Sequence, residues 1–178
     1  MDNNKKNIIR IISFDPGTVH FGLCIFDVID GEITKIITTA TVNVDSPNKS
    51  PDPIKLMDLM ELMVIPIINT DETILYVIEY QPPLNTLSNP GLVRKNTWVE
   101  AFLDTWARLH HIIPTYVYPA SVKKYWNFPK LTDNRQYKSN KTVSKELAQE
   151  KCRGLDMVLD DHVSDCILNG LFLVNKDR

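Results

Sequence analysis

Glycine is scarce in this chain. There are six among 178 residues, and none sits in the glycine-rich loop that a nucleotide-binding enzyme would need. Cysteine is scarcer. Cys24, Cys152 and Cys166 are an odd number without metal-site spacing, which argues against a zinc site or a disulfide framework and points to a reducing intracellular compartment. No apolar run approaches the ~18 residues of a membrane span. The polar start Met1–Lys6 leads only into a short apolar run, so no secretory signal is expected. What remains is ordinary: 43% hydrophobic and 24% charged residues, enough for one globular domain over 1–178. Residues 1–6 are expected to form a disordered tail.

The net charge of −2 hides an asymmetry. Between Ser121 and Gly154 nine Lys/Arg face three Asp/Glu, while the rest of the chain holds eleven Lys/Arg and nineteen acids. A basic segment on an acidic body suggests a local polyanion site, although a solvated lysine-rich helix face would look the same. Residues 123–140 read as the mobile part of that basic segment.

Three strands come first: Ile8–Asp15, His20–Val28 and Glu32–Val42, the last two joined by the hairpin signal Asp30-Gly31. A proline-containing loop leads into a helix over Ile54–Ile65, whose methionines read as core packing. Strand Thr73–Glu79, helix Leu92–His111 and strand Ile112–Tyr118 follow. A helix is then expected over Lys141–Cys152 and a last one over Asp160–Val174. This order predicts an α/β fold with a mixed five-stranded sheet flanked by helices. The first three strands are antiparallel, and the fourth and fifth run parallel to the first.

Two of the apolar strands end in an acid. A carboxylate in an apolar strand is costly unless a cation compensates it. Asp15 and Glu79 would share the carboxyl edge of the sheet, where sites in open α/β folds form. The last helix opens with Asp160-Asp161-His162-Val163-Ser164-Asp165. At roughly 100° per residue, Asp161 and Asp165 lie roughly 40° apart and His162 and Asp165 roughly 60° apart, so either pair can point the same way. Asp160, roughly 140° from Asp165, reads as the helix cap. Clustered acids stay ionised together only around a cation, and magnesium suits carboxylates that leave room for phosphates. Two such ions are the arrangement used for phosphodiester cleavage. Each acid alone has a bland reading, as a turn, an ion pair or a dipole-favoured helix start; the conjunction carries the weight.

With Phe14-Asp15-Pro16-Gly17 before Gly22 and an apolar strand, Val77-Ile78-Glu79-Tyr80-Gln81, and His162-Val163-Ser164-Asp165 near the C-terminus, the chain resembles Holliday junction resolvases of the RuvC type, in the ribonuclease H-like superfamily. The segments Val117–Lys123 and Tyr137–Lys141 are similar to the poxvirus-type, viral branch. The resemblance covers nearly the whole chain. It departs in one place: the first residue of the helical pair is usually Asp, and here it is His162 with Asp161 beside it.

The resemblance implies a ribonuclease H-like fold and a homodimeric endodeoxyribonuclease that nicks four-way DNA junctions symmetrically, in viral genome resolution at the replication site of the host cell. It implies two Mg²⁺ (Mn²⁺ substituting) per site, held by Asp15, Glu79, Asp165 and either His162 or Asp161, with His162 slightly favoured. Lys141 would sit near the scissile phosphate, with Lys123, Lys124, Lys138 and Lys145 as further DNA contacts. No membrane or nucleotide cofactor is expected. Tyr125, Trp126 and Phe128 either stack on unpaired bases or pack the domain. Alternatives keep the fold but act on flaps, loops or RNA hybrids, or bind junctions without cutting. Asp15-Pro16-Gly17-Thr18 also resembles the first phosphate loop of actin-like ATPases and sugar kinases, whose further glycine loops are missing here.

Overall fold

The computed structural model describes the backbone of residues 7–17, 19–44, 51–69, 73–81, 90–129, 134–155, 157 and 159–178, with side chains throughout except at 90–94, 96 and 134–139. The proposed tail 1–6 lies outside these residues. So does part of the basic segment, 130–133.

Strand β1 (Ile9–Asp15) is buried on both faces, which is why it reads as a continuous apolar run. β2 (His20–Ile29) pairs with it antiparallel, from Ile9 opposite Val28 to Asp15 opposite Gly22. β3 (Glu32–Asn43) adds antiparallel to β2 through a turn in which Asp30 and Gly31 both take left-handed backbone angles. β4 (Thr73–Glu79) lies parallel to β1, and β5 (Pro114–Val117) parallel to β4. The sheet order is therefore β3-β2-β1-β4-β5, the mixed arrangement predicted from the sequence.

Each face of the sheet carries its own core. On one face Phe14, Phe21 and Tyr76 pack against α1 (Pro53–Leu59) and α3 (Pro90–Leu109) through Leu56, Leu103 and Trp106. On the other, Ile11, Phe26 and Val77 pack against α6 (Asp161–Asn175), with α4 (Pro119–Tyr125) and α5 (Asn134–Lys151) beside it. A close approach lets α6 lie flat on the sheet. A Cβ on Gly170 would stand 2.7 Å from both Ile11 and Phe26 side chains.

Several boundaries differ from expectation. The helix after β3 runs on past Leu59 as a widened turn over Met60–Val64 and then α2 (Ile65–Ile68), because Pro66 has no N–H to continue the regular ladder. Of its apolar residues, Met60 is buried but Ile54 and Leu62 are 70% and 77% exposed, so the stripe is only partly core. Helix α3 stops before His111, which turns left-handed while the Ile112 and His111 amides bond back to Ala107 and Arg108. Helix α5 begins at Asn134 rather than Lys141. Among the described residues no helix is long and apolar enough to cross a membrane.

Candidate active site

Asp15 ends β1 and Glu79 ends β4. These neighbouring parallel strands are in register up to the Phe14–Ile78 pair, so the two acids follow at the same carboxyl edge. Beyond Glu79 the backbone is pinned on both sides. The Tyr80 amide donates to the Val117 carbonyl at 2.9 Å, and the Gln81 amide to the Glu100 carboxylate at 3.0 Å.

Helix α6 delivers the remaining groups. Asp160 caps it as expected, accepting from the Val163 amide at 2.8 Å. The first turn then crosses β2 at Gly22, where a Cβ would come within 2.8 Å of the His162 Cβ. Only a glycine allows this approach, and it brings His162 Nδ1 to 2.6 Å from Asp15 Oδ2. One turn later Asp165 Oδ1 accepts from Ser144 Oγ at 2.5 Å, and a further turn on Asn169 donates to Glu79 Oε2 at 2.9 Å. A cleft of about 170 Å³ is lined by Asp15, Asp165, His162, Asp161, Lys141, Lys123, Phe128 and Asn140. Glu79 borders the adjoining smaller cavity with Asp165, Lys123 and Asn169.

The acids feel one another. Burial, then the charges of Asp15 and Asp165, push Glu79 up to about 8, against the Asn169 hydrogen bond and Lys123. Burial also raises Asp165 to about 6, opposed by the Ser144 hydrogen bond. The hydrogen bond to Asp15 raises His162 above its ordinary value despite partial burial. Asp161 behaves oppositely. Burial alone would raise it, but hydrogen bonds from Lys141 and Lys145 hold it below the usual carboxylate range.

The two candidates at the start of α6 turn different ways. Asp161 turns to the rim, its Oδ2 taking Lys141 Nζ at 2.5 Å and its Oδ1 taking Lys145 Nζ at 2.7 Å. His162 turns inward to Asp15. Among the described residues no three His, Cys, Asp or Glu side chains converge on one metal position. The donor set nonetheless suits a hard divalent cation: carboxylates withdrawn from water, two of them raised by burial first and by neighbouring carboxylates second, which a cation would offset.

Of the proposed DNA contacts, Lys123 reaches the cleft, and Lys124 lines a neighbouring cavity with Asn127, Phe128 and Asn140. Lys138 belongs to α5, with its side chain outside the described residues. Trp126 packs the domain, its indole donating to the Leu168 carbonyl, while Tyr125 is 38% exposed and stands edge-on to Phe172. Phe128 packs against the same core as Trp126 and also lines the cleft. Helix α4 ends with Asn127 left-handed and the Phe128 amide bonded to the Lys123 carbonyl, which carries Phe128 into the cleft wall.

Three residues in or beside the cleft were not singled out from the sequence. Asn169 was legible in principle, because it shares a helical face with Asp165. Ser144 had no comparable signal. Nor did Asn140, whose Oδ1 is buried without a hydrogen-bond partner.

No protein-family model and no curated protein sequence matches the chain. Solved structures do. RuvC of Thermus thermophilus in complex with a Holliday junction substrate gives a TM-score of 0.65 at 13% identity, over 92% of this chain and 90% of that one. A further Thermus thermophilus RuvC structure gives 0.61 at 17% identity, over 91% of each chain. Fowlpox virus resolvase in complex with its substrate Holliday junction DNA gives 0.53 at 16% identity, over 93% of this chain and 99% of that one. The chain thus has the ribonuclease H-like fold of RuvC and of the poxvirus resolvase, as its motifs led one to expect.

Proposed function

We propose that this protein is a metal-dependent endodeoxyribonuclease that resolves four-way DNA junctions, acting as a homodimer in the resolution of viral genomes. One observation carries the reading. Asp15, Glu79 and Asp165, from three separate elements, stand at one sheet edge, where burial and then neighbouring carboxylates raise Glu79 and Asp165, beside Lys123 and Lys141. Structural acids are normally paired off; these are gathered against electrostatic cost, the sign of a cation site. The fold shared with two resolvases solved on junction DNA supports the substrate class.

In this reading Asp15, Glu79, Asp165 and His162 hold two Mg²⁺ or Mn²⁺ ions, which when bound supply charge neutralisation at the scissile phosphate. Asp15 fixes the His162 tautomer. With Asp15 Oδ2 accepting at 2.6 Å, Nδ1 carries the proton and Nε2 is the ring nitrogen left for a metal. Ser144 and Asn169 orient Asp165 and Glu79 through one oxygen each. Lys123 and Lys141 attract the backbone phosphate. Phe128 walls one side of the cleft. A C2 dimer would place two such clefts symmetrically about the pseudo-two-fold axis of a junction.

The test compares four-way junction, flap and linear duplex with Mg²⁺ or Mn²⁺. The wild type is expected to cut the junction in paired nicks. Asp15→Asn should still bind it and cut at least about 10²–10³-fold more slowly. Full cleavage by Asp15→Asn would sink the assignment. Junction binding without cleavage in either metal would make the chain a binding module.

A further inference from the structure

We propose that Lys141 and Lys145 form a seat for a DNA backbone phosphate at the cleft rim, and that Asp161 fills this seat until the strand displaces it. The inference rests on the nucleic-acid reading of the cleft and adds a resident competitor to it. Lys141 and Lys145 stand one turn apart on α5 and converge on a single carboxylate. Each ammonium takes a different oxygen, at 2.5 and 2.7 Å. Two donors meeting two oxygens on one centre is also how a pair of lysines would grip the non-bridging oxygens of a phosphodiester. The carboxylate thus has the charge and fork of the group it stands in for.

Three features make this an exchangeable contact rather than a structural one. The side chains are 37% and 46% exposed for the lysines and 25% for Asp161, so a strand can reach all three. Such exposed ion pairs add little to folding, and swapping one anion for another costs little. Lys141 and Asp161 also line the same cleft as Asp15, His162 and Asp165, so a phosphate in the seat would belong to the strand running past the acids.

A consequence follows for affinity. When the strand takes the lysines, Asp161 is left beside a polyanion and recruits a counterion. Removing its charge should therefore tighten binding and steepen the salt dependence. An acid anywhere near DNA would repel it somewhat, so the lysines must be shown to mediate the effect.

The experiment measures binding of a four-way junction and a linear duplex by fluorescence anisotropy, in EDTA, over a range of salt. Proteins compared are the wild type, Asp161→Asn, Lys141→Met with Lys145→Met, the triple variant, and Glu146→Gln as a charge control on the exposed face of α5. Melting curves confirm that each is folded. Asp161→Asn should bind about three- to tenfold tighter. Its slope of log K against log salt should be steeper by about one unit. In the background lacking both lysines the same change should gain nothing, and Glu146→Gln should gain less than about twofold. A gain that persists without the lysines, or no gain at all, overturns the seat. Tightening on both DNAs when neither is ever cut would uphold the seat and overturn the resolvase reading. Junction cleavage with no gain from Asp161→Asn would do the reverse.

Discussion

Asp161 and Asp165 lie one turn apart on α6, yet they belong to opposite electrostatic regions. Asp161 sits on the rim, gripped by two lysines that hold it well ionised. Asp165 sits at the sheet edge, where burial raises it to about 6 with the Asp15 charge adding to the effect. The side chain is the same and so is the helix. What differs is the opposing surface: α5 presents ammonium groups at the rim, while β1 and β4 present carboxylates at the edge. The rim acid is paired with cations of the chain itself, whereas the edge acids are not; in the proposed reading a cation acts at the edge and a phosphate at the rim.

The comparison breaks most sharply under substitution. Asp165→Asn should reduce metal-dependent junction cleavage by about 10²–10³-fold, whereas Asp161→Asn should cost less than about tenfold in turnover. Equal losses in single-turnover assays would erase the distinction between rim and edge.

The next largest effect is on stability without metal. Glu79 and Asp165 are raised above their ordinary values, so between the unfolded and folded values the native state binds more protons than the unfolded state. Stability then falls as pH rises through that window. His162 is also raised, and its contribution is likewise lost as pH climbs through its folded value. In EDTA the melting temperature should drop by about 5 °C or more between pH 5.5 and 8. Glu79→Gln should flatten the slope, and Mg²⁺ should restore stability at pH 8. A melting temperature that climbs over that range would contradict the crowded edge.

Smaller effects test the supports. Ser144→Ala removes a hydrogen bond that favours ionised Asp165. Cleavage should fall by about tenfold, as for other groups that orient a metal ligand, and the rising limb of its pH profile should move to higher pH. A uniform loss without that displacement would mean that Ser144 only packs. Least of all, Lys124→Ala, beside the cleft but away from the acids, should weaken binding evenly on all DNAs and lower the salt slope by about 0.9.

Much of the fold was legible because it depends on short-range pattern. The apolar run of β1, the Asp30-Gly31 turn and the capping Asp160 are each decided by a few neighbouring residues. Boundaries slipped where backbone details intervened, as at His111 and at Pro66. The start of α5 slipped because a polar, lysine-rich stretch offers little apolar periodicity to read. At the site, strand-end positions announced Asp15 and Glu79. The choice at the start of α6 stayed open, since helix geometry alone lets either Asp161 or His162 share a face with Asp165.

By itself, the sequence determined the sheet and the two acids at its carboxyl edge, because strand period and strand ends are local properties. Tertiary structure alone decided which way Asp161 and His162 turn, and which partners hold Asp165 and Glu79. Those pairings join residues 20, 21, 90 and 147 positions apart. They exist only once α5 and α6 are seated on the sheet, with Gly22 and Gly170 allowing α6 to come close enough.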